Sequence, residues 1–271
     1  MAKDKKEEKN LVPQDKAQLP VGVTNLAVED MEADAGSGLE NIGANDIALP
    51  FLVVLQAGSP QVKKGDQKVE GAVEGDVLNT VTQDLYSGDE GIYVVPVFYK
   101  KSFVEWKPRE SGGGFVAQHE DESIFLRTKK NEKNQDVLET GNVIVTTAYH
   151  YGLLINPVSG DYQNVVIAMS STQLKKSRRW NAIMSGLKMS RKDGTKFTPP
   201  IFSHMYKLTT EAEKNELGQW CGWKIEIQGV VPSKEIYEAA KQFIDALKSG
   251  AIREAIPPQV ADTTDPDNIP F

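Results

Sequence analysis

The chain has 271 residues, 25% of them charged and 39% hydrophobic, with 31 Lys and Arg against 38 Asp and Glu for a formal charge of −7. That composition excludes a wholly disordered chain and a membrane-embedded one, and the length suits one large domain or two small ones. The single cysteine, Cys221, excludes an intramolecular disulfide framework and any multi-cysteine zinc or iron–sulfur site.

Along the chain the charge is sorted. Residues 1–10 are charged and no apolar h-region follows them; no apolar run approaches the roughly 18 residues of a membrane span, so a cytoplasmic protein without membrane association is expected. Residues 21–46 carry six acids (Glu29, Asp30, Glu32, Asp34, Glu40, Asp46) and no base, which makes 1–46 a flexible acidic arm. From residue 47 the pattern becomes strand-like. Apolar or alternating runs at 46–56, 75–82, 91–99 continuing through 102–106, 142–155, 162–169, 199–208 and 220–231 give at least seven strands, and 156–160 is a turn signal between two of them.

Two helices interrupt these strands. Residues 171–186 open with Ser and Thr cap candidates and set Trp180, Ile183, Met184 and Leu187 on one stripe, leaving Lys175, Arg178 and Arg179 on another face. Residues 233–249 place Ile236, Ala240, Phe243 and Leu247 together, with Ser233 as cap and Gly250 as stop. A β-dominated α+β domain over 47–256 is predicted, of the kind an OB-fold-like, partly open barrel with insertions and two helices would give. Residues 257–271 hold Asp262, Asp265 and Asp267, four prolines and no base, and read as a disordered acidic tail.

Catalytic signatures are sparse. No P-loop is present, the glycines at 112–114 lack a strand-to-helix context and suit a hairpin tip or lid, and His119, His150 and His204 lie in no ligand spacing. His150, between two tyrosines, is a strand residue in this reading. Glu105-Trp106-Lys107, after Asp84 and Asp89, matches half of a metal-dependent nuclease motif and is kept as the alternative: a Mg²⁺-dependent nuclease or other DNA-processing enzyme. The principal expectation is a binding protein, not an enzyme, with no cofactor and no metal.

Binding an unpaired polynucleotide needs cations along the phosphates and rings for the bases. Residues 165–207 hold nine bases (Lys175, Lys176, Arg178, Arg179, Lys188, Arg191, Lys192, Lys196, Lys207) against one acid, Asp193. A second aromatic and basic run precedes it: Tyr99, Lys100, Lys101, Phe103, Trp106, Lys107 and Arg109. Period two places Tyr99, Lys101 and Phe103 on one strand face and Lys100, Ser102 and Val104 on the other. Tyr206 with Lys207 repeats the pairing of ring and cation. Tyr99, Phe103 and Trp106 are the leading stacking candidates, ahead of Trp220 and Trp223. No duplex-reading motif is found, so contact with backbone and base faces without strong sequence preference is expected. The bland reading is that basic and acidic segments pair within the fold.

The chain ends Asp265-Pro266-Asp267-Asn268-Ile269-Pro270-Phe271. An acidic stalk ending in a ring and an α-carboxylate suits capture by an apolar pocket with one cation. This terminus resembles the Asp-Asp-Asp-Ile-Pro-Phe tip of bacterial single-stranded DNA-binding proteins, and phage members similarly follow an OB-fold with an acidic tail. Asn268 replaces an Asp, and the core is much longer than the bacterial one. The resemblance implies sequence-independent binding and protection of single-stranded DNA, and recruitment of replication, recombination or repair proteins through Asp262, Asp265, Asp267, Ile269, Pro270 and Phe271. For a phage protein it implies the host cytoplasm. A homo-oligomer is compatible with the sequence.

Overall fold

The computed structural model describes residues 28–43, 46–216 and 218–252. The chain divides into two units, Met1–Ile47 and Ala48–Phe271. Within the first, a short helix α1 (Val28–Ala33) and a series of turns occupy part of the segment expected to be a flexible arm.

The second unit is β-dominated. A small sheet orders β1 (Leu52–Val54), β2 (Val77–Asn79) and β3 (Leu85–Tyr86). The main sheet is built on two long antiparallel strands, β4 (Ile92–Trp106) and β8 (Val143–Ile155), paired along nearly their whole length. At one end β8 is flanked by β9 (Tyr162–Ser170), and β4 by β12 (His204–Asn215) and then β13 (Gly218–Val230). At the other end β4 pairs with β5 (Phe115–His119), while β8 pairs with β7 (Asp136–Leu138) and then β6 (Thr128–Lys130).

The first of these ends curls into an open half-barrel. β1 lies in its gap: Phe51 bridges Val166 of β9 in parallel, and Gln56 grips the Cys221 backbone of β13, accepting from N–H at 2.8 Å and donating to C=O at 2.9 Å. Both faces of the sheet are covered, which is why the strands read as near-continuous apolar runs. Ile92, Val94, Ala148, Ile167, Met169, Tyr206, Leu208 and Trp223 form the inner core with Trp180 and Met184 of α2 (Leu174–Gly186). On the other face Val95, Val97, Tyr149, Tyr151, Leu153 and Val166 share a core with Ile236, Ala240 and Phe243 of α3 (Lys234–Lys248).

Both core helices lie where the apolar stripes place them. α3 has its predicted ends: Ser233 Oγ accepts from the Ile236 N–H at 3.2 Å, and Gly250 follows at φ +72°. α2 differs at its start. The chain leaves β9 through a 3₁₀ turn, Ser171–Gln173, with Ser171 at φ +48°, and no Ser or Thr side chain caps the helix. Gln173 instead turns to β13, its Oε1 accepting from the Trp223 N–H at 3.0 Å.

Residues 107–141 carry no strand or helix period in the sequence, yet this stretch is structured. It holds β5, a 3₁₀ turn at Glu122–Arg127, β6 and β7, and the glycines 112–114 form the tip between β4 and β5, where Lys107 N–H donates to Gly114 C=O at 2.9 Å. After α2 a two-stranded hairpin, β10 (Met189–Ser190) and β11 (Lys196–Phe197), leads toward β12.

Trp180 is fully buried at the centre of the inner core. Trp180→Ala is expected to destabilise the protein by about 3–5 kcal/mol in urea unfolding, and Trp106→Ala, at a half-buried site, by clearly less.

Candidate nucleic-acid interface

The register of β4 against β8 confirms the two faces inferred from period two. Tyr99, Lys101 and Phe103 lie opposite His150, Ala148 and Thr146, while Lys100, Ser102 and Val104 lie opposite Tyr149, Thr147 and Val145. Exposure does not follow the face. Phe103 is 1% exposed, set edge-on to Phe125 at 5.1 Å and closed in by Ile124, Leu138 and Ile144, so it offers no ring to a base. Ile124, Phe125 and Leu138 come from 107–142, and that insertion covers what the strand alone would have left open. Trp106 is half-buried against Phe115, and Trp220 and Trp223 are buried. Tyr99 remains accessible at 36%.

The β4 cations are largely committed. Lys100 Nζ lies 2.6 Å from Glu120, and Lys101 Nζ lies 3.3 Å from Glu122 and 5.2 Å from the Phe103 ring centre. Lys107 is exposed. Arg109 begins a 3₁₀ turn, and its side chain lies outside the description.

Tyr206 and Lys207 do not form the ring-and-cation pair that the sequence suggests. Adjacent strand residues point to opposite faces. Tyr206 is fully buried, edge-on to Trp180 at 5.6 Å, whereas Lys207 stands over Tyr93 at 5.8 Å, a residue packed with the α3 core. The ring cannot stack on a base, and the cation is on the other side of the sheet from α2.

What the fold leaves open is a basic ribbon of chain, running along α2 and into the hairpin that follows it in sequence. Ser177 and Trp180 face inward, leaving Lys175, Arg178 and Arg179 exposed. The hairpin follows at once and exposes Lys188, Arg191, Lys192 and Lys196. Its turn is held by Asp193, which accepts from the Thr195 N–H at 2.9 Å and hydroxyl at 2.7 Å; those bonds hold the carboxyl below its usual range. Arg191 lies over the Phe197 ring at 5.0 Å and donates to Thr195 Oγ1 at 3.2 Å, and Lys188 donates to Thr198 Oγ1 at 2.5 Å. Arg178, Arg179, Lys188, Arg191, Lys192 and Lys196 make no ion pair with a carboxylate among the described residues.

Lys175 and Lys176 are different. Lys176 Nζ is bonded to Glu211 and lies 3.1 Å from Glu213, and Lys175 Nζ lies 3.5 Å from Glu213. These β12 carboxylates were missed in the sequence, where Glu211 and Glu213 show only as two acids at strand spacing.

His150 is a core residue. Its ring stacks on Trp180 at 4.5 Å, its Nε2 lies 2.8 Å from Ser177 Oγ, and Tyr99 touches its other side at 5.2 Å. Tyr99 is therefore one ring removed from α2. Glu105 is also engaged on both oxygens, with His119 Nε2 at 2.8 Å and Asn142 Nδ2 at 2.6 Å. Burial works to raise its pKa, but the bonds from Asn142 and His119 and the charge of Arg127 hold it below the ordinary value. Among the described residues no three His, Cys, Asp or Glu are grouped to hold a metal ion, and no helix is long and apolar enough to cross a membrane. Asp262, Asp265, Asp267, Ile269, Pro270 and Phe271 lie outside the described residues.

Burial pushes the His150 pKa down to about 3. Below about pH 6.5 the unfolded chain takes up a proton that native His150 refuses, so folding stability falls with pH between these values by roughly 1 kcal/mol per unit. Urea unfolding at pH 6, 5 and 4 should show that decline in the wild type and a shallower one in His150→Gln.

No curated protein and no solved structure matches the chain. A family model does, and its description points to a phage protein. It spans residues 16–253, well over half of the chain, which belongs to the Pam3 phage gp34-like protein family.

Proposed function

We propose that this phage-type protein binds single-stranded DNA through its phosphates, without sequence preference, and that it does so as a binding protein rather than an enzyme. The observation carrying the reading is the ribbon of six exposed cations on 178–196, none in an ion pair among the described residues. Residues 48–252 hold 24 acids against 25 bases, nearly enough to pair every cation, and leaving six cations open within 19 residues favours an anionic polymer as the partner.

The architecture supports the reading at the level of connectivity. Taken in chain order, β4, β8, β9, α2, β12 and β13 run strand, strand, strand, helix, strand, strand; β4 is flanked by the second and the fourth strand, and the fifth pairs with the fourth. That is the order of an OB-fold, elaborated by 107–142 and by the β10–β11 hairpin, and OB-folds commonly hold oligonucleotides. On this reading the tail, ending in Ile269, Pro270 and Phe271, recruits replication, recombination or repair proteins to the coated strand.

The test is a titration of labelled oligo-dT across salt concentrations, with and without Mg²⁺. Six phosphate contacts predict log K falling against log salt with a slope of roughly −4. Arg178→Gln/Arg179→Gln and Arg191→Gln/Lys192→Gln should each make the slope shallower by about one unit. Absence of salt-sensitive binding overturns the reading, and Mg²⁺-dependent cleavage lost in Glu105→Gln would replace it with the nuclease.

A further inference from the structure

β12 leaves the main sheet early. It pairs with β4 only at Tyr206, Lys207 and Leu208, and from Thr209 onward it and β13 continue as a two-stranded arm to Asn215 and Gly218. The arm is tied at its root, where Thr210 N–H donates to Gly88 C=O at 2.9 Å, Thr210 Oγ1 to Gly75 C=O at 2.7 Å, and Gln56 grips Cys221. Between these ties and just past them it lays Glu211 and Glu213 against the first turn of α2.

That contact is graded. The inner pair, Lys176 with Glu213, is nearly out of water, the two side chains being 16% and 15% exposed. Glu213 reaches this depth because residue 222 is glycine: a Cβ there would meet Glu213 Oε1 at 2.1 Å and Gln173 Nε2 at 2.6 Å. The outer members are wetter, Glu211 at 43% and Lys175 at 66%, and a pair so exposed is held by little. Burial works to lower the Lys176 pKa, but its bonds to Glu211 and Glu213 hold it above the ordinary value, so the amine stays charged.

Lys175 and Lys176 continue the ribbon of open cations along α2, and a carboxylate there stands where a phosphate would. We propose that Glu211 and Glu213 form an autoinhibitory latch that holds the cations of the first turn of α2 back from a bound strand. The inference rests on the nucleic-acid reading above and adds its regulation: the open cations make the contact, and a phosphate reaches the latched pair only by displacing its carboxylate partners. Wild-type affinity therefore gains little from Lys175 and Lys176.

The test uses the full chain and oligo-dT, with slopes from salt titrations and thermal unfolding to monitor folding. Glu211→Gln/Glu213→Gln should bind about tenfold more tightly at low salt and steepen the slope by about one unit, two further phosphates counting roughly 0.7 each. The charge-matched control Glu235→Gln/Glu238→Gln, on α3, should change neither as much. Lys175→Gln/Lys176→Gln should leave the wild-type slope nearly unchanged, in contrast to Arg178→Gln/Arg179→Gln. A latch variant indistinguishable from the α3 control, or a lysine variant that lowers the wild-type slope as far as the arginine variant does, overturns the latch and leaves the binding reading standing. If the glutamine variant does not fold, the lysine variant alone decides. Absence of salt-sensitive binding by the wild type overturns both.

Discussion

Trp180 is wedged between His150 of β8, stacked at 4.5 Å, and Tyr206 of β12, edge-on at 5.6 Å. One side chain of α2 thus ties together strands on both sides of β4, and the direction in which α2 turns its charges depends on that contact. The arrangement carries polar losses: Trp180 Nε1 and the Tyr206 hydroxyl are buried without hydrogen-bond partners among the described residues, His150 is held neutral, and burial pushes the Tyr206 pKa up to about 12. Such losses run to about 1–3 kcal/mol per unsatisfied group, which packing must offset. Two rings and a neutral imidazole in close contact are a dense apolar joint, so removing Trp180 would loosen the helix together with the basic ribbon it carries.

The same local logic explains why net charge says little about this molecule. Each basic segment meets a different acid supply. The lysines of β4 fold against Glu120 and Glu122 of the insertion, and the first turn of α2 against Glu211 and Glu213 of the arm. Beyond that turn the cations of the helix and hairpin make no carboxylate ion pair among the described residues, although Arg179 lines the same cleft as Glu211, and Asp193 is engaged in the turn's own hydrogen bonds. Intramolecular pairing, the bland reading of the charge runs, therefore holds for 100–101 and 175–176 and stops at 178.

Periodicity made the core legible and left the surface uncertain. α3 could be read almost whole because Ser233, Gly250 and the spacing of Ile236, Ala240 and Phe243 act within one helix. The long strands were visible because burial on both faces makes them uniformly apolar. β6 and β7, three residues each, are too short to carry a periodic signal; they form local hairpins, β6 on β7 and β7 on the start of β8. Period two could say that Tyr99 and Phe103 share a face; it could not say that Phe125 would arrive to cover one and leave the other open. The pairing of Tyr206 with Lys207 overlooked the same period, since neighbours on a strand point to opposite faces. The open stretch 178–196 was visible as charge, and its division from Lys175 and Lys176 was not, because the dividing carboxylates lie some 35 residues on, across a register that only the folded arm sets.

The ratio of rings to cations decides what kind of binding such a surface can give. Of the aromatic residues first considered for stacking, Phe103 and Tyr206 are in the core, Trp106 is half-covered, and Tyr99 alone among them combines exposure with nearness to α2. A stacked base is worth about 1–3 kcal/mol, so a single ring adds modest affinity and little discrimination. Six open cations exchanging counterions for phosphates weigh more at low salt and fade as salt rises. On the proposed reading the protein would hold a strand by its backbone, leave most bases unread, and depend on ionic strength far more than on sequence. The latch fits that balance, because a surface that attracts any polyanion is held in check most simply by keeping some of its charge occupied.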